Sequence, residues 1–258
     1  MDDQHASGPH VADAVAGSFA GLRPAEPITH EPGHDFPPTH HIRSAYDREI
    51  TEIKDNVLRM GSLVELQIRA AIAALITHDA DAASRVIADD RQVNELQRSA
   101  TAMIAAVIAT QNPVARDLRY LLTLDHVSYE LERMGDHAGS VAKQARKLAP
   151  FPPLKDYVLL PELGGKVAEL VGGIIRALVD VDQEQARAVA RRDDEVDELY
   201  HRIFDEVLVL MREDAANVDP GTRILFASHY LERIGDRVTN IAEDIVFLVS
   251  GEVEDLNQ

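Results

Sequence analysis

Glu132 and Asp136 stand four residues apart, and so do Glu232 and Asp236. Within a helix that spacing puts both carboxylates on one face, with Cβ atoms roughly 5–6 Å apart. Like charges so placed cost a few tenths of a kcal/mol, and a glycine inside the same turn costs about 1 kcal/mol relative to alanine. Each pair carries such a glycine, Gly135 or Gly235. The whole segment Leu131-Glu132-Arg133-Met134-Gly135-Asp136 recurs as Leu231-Glu232-Arg233-Ile234-Gly235-Asp236, 100 residues later. Upstream, Asp90-Arg91-Gln92-Val93-Asn94-Glu95-Leu96 returns as Asp193-Asp194-Glu195-Val196-Asp197-Glu198-Leu199. Two motifs recurring in the same order at nearly equal offsets mark an internal duplication. Penalties accepted twice at one place need a reason. Carboxylates one turn apart can bridge cations, which in multinuclear sites lie about 3.5–4 Å from one another.

A helical wheel with Glu132 at 0° puts Asp136 near 40° and the apolar residues Val127, Met134, Ala138, Val141 and Ala145 at about 180–240°. The acids therefore point away from the core stripe. Asp90 and Asn94, like Asp193 and Asp197, are again one turn apart and flank the apolar centre of their own helix. If the two helices of each motif pack antiparallel, their acidic rows meet along an exposed groove. The candidate metal ligands are Asp90, Glu132 and Asp136 in the first repeat, and Asp193, Asp197, Glu232 and Asp236 in the second. All-oxygen donors suit divalent or trivalent ions such as Mg, Mn or Fe, with Zn a further candidate. Asn240, Glu243 and His229 lie near the second pair, whereas the first has Ser140 and Lys143. The second site is expected to bind more tightly. The bland alternative is a solvated acidic face whose ion pairs come from Arg133 and Arg233.

These motifs need helices to position them. Apolar residues recur at steps of three and four in six stretches. They run Ile50 to Leu75, Val86 to Val107, Leu118 to Leu148, Leu163 to Val181, Val189 to Leu210 and Ile224 to Leu248. Asp79–Asp81, Asn112-Pro113, Pro150–Pro153 and the turn Asn217–Gly221 punctuate them, and Gly251 is placed to end the last. The reading is all-α: two tandem, symmetry-related three-helix bundles at 42–149 and 161–253, a linker at 150–160 and a tail at 254–258. Residues 1–41 hold six of the 12 prolines and six of the 11 histidines, so this segment reads as a disordered arm.

Composition removes other classes. The 258 residues carry a net charge of −18, which disfavours nucleic acid as a partner. The absence of cysteine excludes disulfides and thiolate chemistry. No uninterrupted run of about 18 apolar residues and no secretory leader pattern is evident, so a cytoplasmic location is expected. Gly-rich phosphate loops, Gly-x-Ser-x-Gly and His-Glu-x-x-His are missing. His126, His137 and His201 read as polar surface or partly buried groups, and His78 as a helix-end residue.

The doubled Leu-Glu-Arg-[Met/Ile]-Gly-Asp and the upstream acidic motif resemble the PhoU family of phosphate-uptake regulators. So do Asp117-Leu118-Arg119 after Asn112-Pro113, Met60-Gly61-x-x-Val64-Glu65, and Val249-Ser250-Gly251-Glu252. The resemblance spans about residues 42–253. It implies two symmetry-related three-helix bundles with multinuclear metal clusters at the Glu/Asp-x-x-x-Asp motifs. It further implies negative regulation of phosphate uptake and of the phosphate-starvation response. The implied partners are the ATPase subunit of the phosphate ABC transporter and a phosphate-sensing histidine kinase, with a homodimer as the expected assembly. Membrane association would come only through those partners.

Three readings compete. One is a non-enzymatic, metal-binding adaptor; the second is a ferritin-like di-metal carboxylate oxidoreductase; the third is an adaptor binding no metal. Ferritin-like sites use Glu-x-x-His aimed into a bundle core. Here the order at His229 and Glu232 is reversed and the acids face outward, which favours the adaptor.

Overall fold

Seven α-helices account for the apolar periodicity in the computed structural model, which describes residues 39–256. They are α1 (Thr39–Thr77), α2 (Ala80–Gln111), α3 (Arg116–Leu148), α4 (Leu159–Asp180), α5 (Gln183–Ala190), α6 (Asp193–Glu213) and α7 (Val218–Ser250). The Pro/His-rich arm lies outside the described residues, apart from 39–41 at the start of α1. No strand occurs among the described residues. The first bundle is α1–α2–α3, and the second is α4, α5–α6 and α7.

Two expectations need correction. The stretch read as a fifth helix is broken at Arg191–Arg192 into α5 and α6. The break places Asp193, Asp194 and Glu195 in the first turn of α6, where the unpaired N–H groups of a helix start favour negative charge. The segment Val218–Gly221, read as a turn, is the opening turn of α7. Pro220 is tolerated there because a first-turn N–H has no partner inside the helix in any case.

Helix ends repeat as faithfully as the motifs do. His78 and Val181 each take a left-handed conformation, at φ 54° and 52°. Each is followed by an aspartate N-cap: Asp79 accepts from the N–H groups of Asp81 and Ala82, and Asp182 from those of Glu184 and Gln185. His78 also holds the linker. Its Nδ1 donates to the Phe151 carbonyl at 2.9 Å and its Nε2 lies 3.2 Å from the Tyr157 hydroxyl. Gly251, at φ 78°, ends α7 as expected.

The bundles join through equivalent helices. α3 and α7 pack against each other extensively, and α1 meets α4 at two glycine contacts. A Cβ on Gly61 would lie 2.7 Å from Ile175 Cγ1, and one on Gly164 would lie 2.5 Å from Ile72 Cγ1. The two contacts are one contact exchanged between repeats, since Gly164 follows Gly61 and Ile175 follows Ile72 by the same 103 positions. The same exchange relates two pairs across α3 and α7. Arg237 Nη1 donates to Glu130 Oε2 at 3.2 Å, and His137 stacks on Tyr230 at 6.0 Å between centroids. Reciprocal contacts of this kind define a two-fold interface, here formed within one chain.

By length and composition, Tyr46–Thr77 of α1 is apolar enough to cross a membrane, which a search for an unbroken apolar run does not detect. In this fold the apolar face of α1 is core: Ile53, Val57, Met60, Val64, Ile68 and Leu75 are fully buried. The glycine crossings yield a direct test. Gly164→Ala is expected to destabilise by about 1–3 kcal/mol through overpacking against Ile72, outweighing its gain of about 1 kcal/mol in helix propensity. The loss should shrink in an Ile72→Ala background, as measured by denaturant unfolding of the four proteins of the cycle.

Candidate functional site

Each acidic row has its partner row beside it. Asp90 sits on α2 against the glycine turn of α3, and Asp193 on α6 against the glycine turn of α7. Asp90 Oδ1 lies 3.1 Å from the point where a Cβ on Gly135 would stand. At Gly235 that point falls almost on Asp193 Oδ1. The helix-interior glycines thus make room for an opposing carboxylate. Alanine at Gly235 would drive its aspartate away, and alanine at Gly135 would press Asp90 back by a few tenths of an ångström.

The first cluster joins Asp90, Asn94, Glu132 and Asp136. Asn94 Nδ2 donates to Asp90 Oδ2 at 3.3 Å, and burial followed by the Asp136 charge raises the Asp90 pKa. Lys143 pulls that pKa back down, so the lysine noted in the sequence does face this cluster. The Glu132 pKa is raised by burial and then by Asp136. The second cluster joins Asp193, Asp197, Glu232 and Asp236. Burial, then Asp197, Asp236 and Glu232, push the Asp193 carboxyl up to about 7. Asp197 and Glu232 are raised as well, by burial and then by Asp236.

The groove is less open than the wheel suggests. Glu132 and Glu232 keep only 19% and 18% of their side-chain surface, against 41% and 28% for Asp136 and Asp236. The wheel treats each helix alone, whereas α2 and α6 cover the N-terminal half of each pair. Arg133 and Arg233 each donate to the aspartate three residues on, at 3.0 Å. His229 Nδ1 lies 3.3 Å from Glu232 Oε2. Glu243 accepts the Leu256 N–H at 2.9 Å and anchors the tail, and Leu256 lines a cavity with Asp193 and Asp197.

Among the described residues, no three His, Asp or Glu side chains converge tightly enough to hold one metal ion. The clusters are open. Their donor chemistry nonetheless fits hard cations: Asp90 Oδ1, Glu132 Oε2, Asp193 Oδ1 and Glu232 Oε2 are buried with no hydrogen-bond partner. Arg133 Nε lies 3.2 Å from Glu132 Oε2 and Arg233 Nε 3.6 Å from Glu232 Oε2, whereas the two aspartate oxygens have no ion-pairing cation among the described residues. Carboxylate oxygens without hydrogen bonds are expensive in a protein interior.

Sequence reasoning passed over Gln67, Glu130 and Asp244. Gln67, 6% exposed, lies beside Asp90, with its Oε1 3.3 Å from the Gly135 Cβ point. Glu130, 2% exposed, and His126 form an α3–α7 network in which Nδ1 of His126 and Oδ2 of Asp244 lie 2.5 Å apart. The available signal was a polar residue standing in an apolar stripe, Gln67 next to Val64 and Ile68, and Glu130 next to Val127 and Leu131.

Comparison with known proteins settles the family. Residues 57–145 and 160–245 each match the PhoU domain. The chain belongs to the PhoU family. A PhoU homologue of Clostridium acetobutylicum, called a phosphate-specific transport system accessory protein, is 37% identical over 219 residues, covering 83% of this chain and 99% of that one. A Pseudomonas aeruginosa PhoU homologue of the same description is 34% identical over 214 residues, with 83% and 88% covered. The crystal structure of PhoU from Pseudomonas aeruginosa superposes with a TM-score of 0.77 at 33% identity, covering 80% of this chain and 100% of that one. The PhoU structure from Streptococcus pneumoniae, a phosphate transport system regulatory protein, gives 0.75 at 27%, covering 81% and 99%.

The raised Asp193 pKa fixes the sign of a pH effect. The folded protein holds this proton up to about pH 7, whereas an unfolded aspartate releases it near about 3.9. Metal-free protein should therefore lose stability as pH rises from about 4 to about 7. Asp193→Asn should flatten that slope and raise Tm above pH 7, as read by thermal unfolding in chelator across pH. An unchanged pH profile would contradict the clustered-charge account.

Proposed function

We propose that this chain is a non-enzymatic regulator of phosphate transport, restraining phosphate uptake and the phosphate-starvation response when phosphate is plentiful. The observation that carries the reading is near end-to-end similarity to proteins named as phosphate-specific transport accessory proteins, together with both acidic motifs. It acts in the cytoplasm as a homodimer, linking the transporter's ATPase subunit to a sensor histidine kinase. No catalytic constellation is assigned to it.

Asp90, Glu132 and Asp136 would hold cations in the first cluster, and Asp193, Asp197, Glu232 and Asp236 in the second. When bound, the ions supply positive charge that offsets the mutual repulsion of the carboxylates. The chain's own contribution is positional. Gly135 and Gly235 admit the opposing aspartate, burial keeps Glu132 and Glu232 from being fully hydrated, and Arg133 and Arg233 hold the outer aspartates in place. The partial exposure of Asp136 and Asp236 leaves this charge readable from outside, which suits an adaptor better than a ferritin-like centre enclosed in a bundle.

Deleting the gene in its host should make phosphate-starvation genes constitutive in high phosphate, and the wild-type copy should restore repression. Normal repression in the deletion strain would count against the regulatory role. Separately, elemental analysis after dialysis should find bound metal that falls in Glu232→Ala and Asp236→Ala, whereas metal-free wild-type protein would favour an adaptor that binds none.

A further inference from the structure

The two clusters differ in one respect that no motif describes. In the first, a side chain from a third helix enters: Gln67 of α1, with 6% of its surface exposed. Its Oε1 and Asp90 Oδ1 crowd the same point beside Gly135, at 3.3 and 3.1 Å. The Gln67 amide N–H is directed to Asp90 and pulls its pKa back down, which leaves Oε1 buried without a partner, as is Oδ1 of Asn94. The corresponding residue of the second repeat is Leu170, 1% exposed, so the fold accepts an apolar side chain at this position. Leaving a buried amide unsatisfied costs about 1–3 kcal/mol, a penalty that leucine avoids.

We propose that the carbonyl oxygen of Gln67 is a further cation donor in the first cluster, making it a mixed amide–carboxylate site for a divalent cation of the hard, oxygen-preferring class, whereas the second cluster is carboxylate-only. This rests on the cation-binding reading above. Four buried oxygens without a hydrogen bond belong to the first cluster: carboxylate oxygens of Asp90 and Glu132, the latter ion-paired with Arg133 Nε at 3.2 Å, and the neutral amide oxygens of Asn94 and Gln67. In the second cluster the buried oxygens without a hydrogen bond belong to Asp193 and Glu232, both carboxylates, and Asp197 stands where the first has Asn94. Amide carbonyls complete a coordination shell without adding like-charge repulsion, as in calcium and magnesium sites of mixed donors. Lys143, which faces Asp90, lowers the charge that the first cluster offers still further. The duplicated sites are accordingly specialised, the first for fewer or less highly charged ions than the second.

The test is calorimetric titration of the full chain with Mn²⁺, alone and in competition with Ca²⁺, for wild type, Asp90→Asn, Asp193→Asn, Gln67→Leu and Gln67→Glu. Asp90→Asn and Asp193→Asn should each weaken a different class of sites. Gln67→Leu should weaken the class lost in Asp90→Asn by tenfold or more and leave the other intact. In chelator, Gln67→Leu should unfold at a temperature equal to or above wild type, yet gain less from added Mn²⁺. Gln67→Glu, close to wild type in shape, should retain the first class while unfolding earlier in chelator. Wild-type Mn²⁺ affinity in Gln67→Leu, with Asp90→Asn defective, would mean that Gln67 meets only water and would overturn the proposal. Unchanged titrations in both aspartate variants would instead remove the cation-binding reading itself.

Discussion

At Gly235 the volume of a missing methyl group is taken by Asp193 Oδ1, and at Gly135 Asp90 Oδ1 presses close to the same point at 3.1 Å. This contact between a helix notch and a carboxylate governs much of the rest. It sets the axial register of α6 on α7 and of α2 on α3. It removes the aspartate from water, and it brings that charge against the Glu/Asp pair of the facing helix. Burial and like-charge repulsion then act in the same direction, so Asp90, Glu132, Asp193, Asp197 and Glu232 all hold protons more tightly than free carboxyls do.

The duplication supplies the frame around these notches. Because contacts across α1–α4 and α3–α7 exchange between repeats, the halves meet as the subunits of a symmetric dimer would, but with an effective concentration set by the linker. The interface has also diverged. Glu130–Arg237 is an ion pair with one partner almost fully buried, and its symmetry mate is the ring stack of Tyr230 on His137. Symmetry of backbone has survived substitution of the chemistry that fills it, as expected where packing volume matters more than residue type. The same divergence separates the two acidic clusters at Asn94 and Gln67.

Legibility in the sequence followed the range of the interaction that decides each feature. Helix existence, the Asp79 and Asp182 caps, the Gly251 stop and the duplicated acidic motifs depend on neighbours within about a turn, and spacing alone exposes them. The fifth helix was misread because Val189 and Val196 keep an apolar rhythm across Arg191–Arg192, where the backbone nonetheless breaks. Val218–Gly221 was misread because proline and glycine look the same in a turn and in a first helical turn. The hydrogen bond from the Leu256 N–H to Glu243 had no local signal, because the tail's return to α7 is a contact across 13 residues.

By itself, then, the sequence determined the all-α class, the doubled three-helix plan, the family and the identities of seven candidate carboxylates, all properties of local pattern and repetition. The tertiary structure alone decided that α2 and α6 cover Glu132 and Glu232, that the glycines admit opposing aspartates, and that Gln67 enters one cluster and not the other. Those outcomes depend on which helix faces meet and at what height. A single-helix wheel carries the angle of a side chain about its own axis, but neither the neighbour it will meet nor the water it will lose.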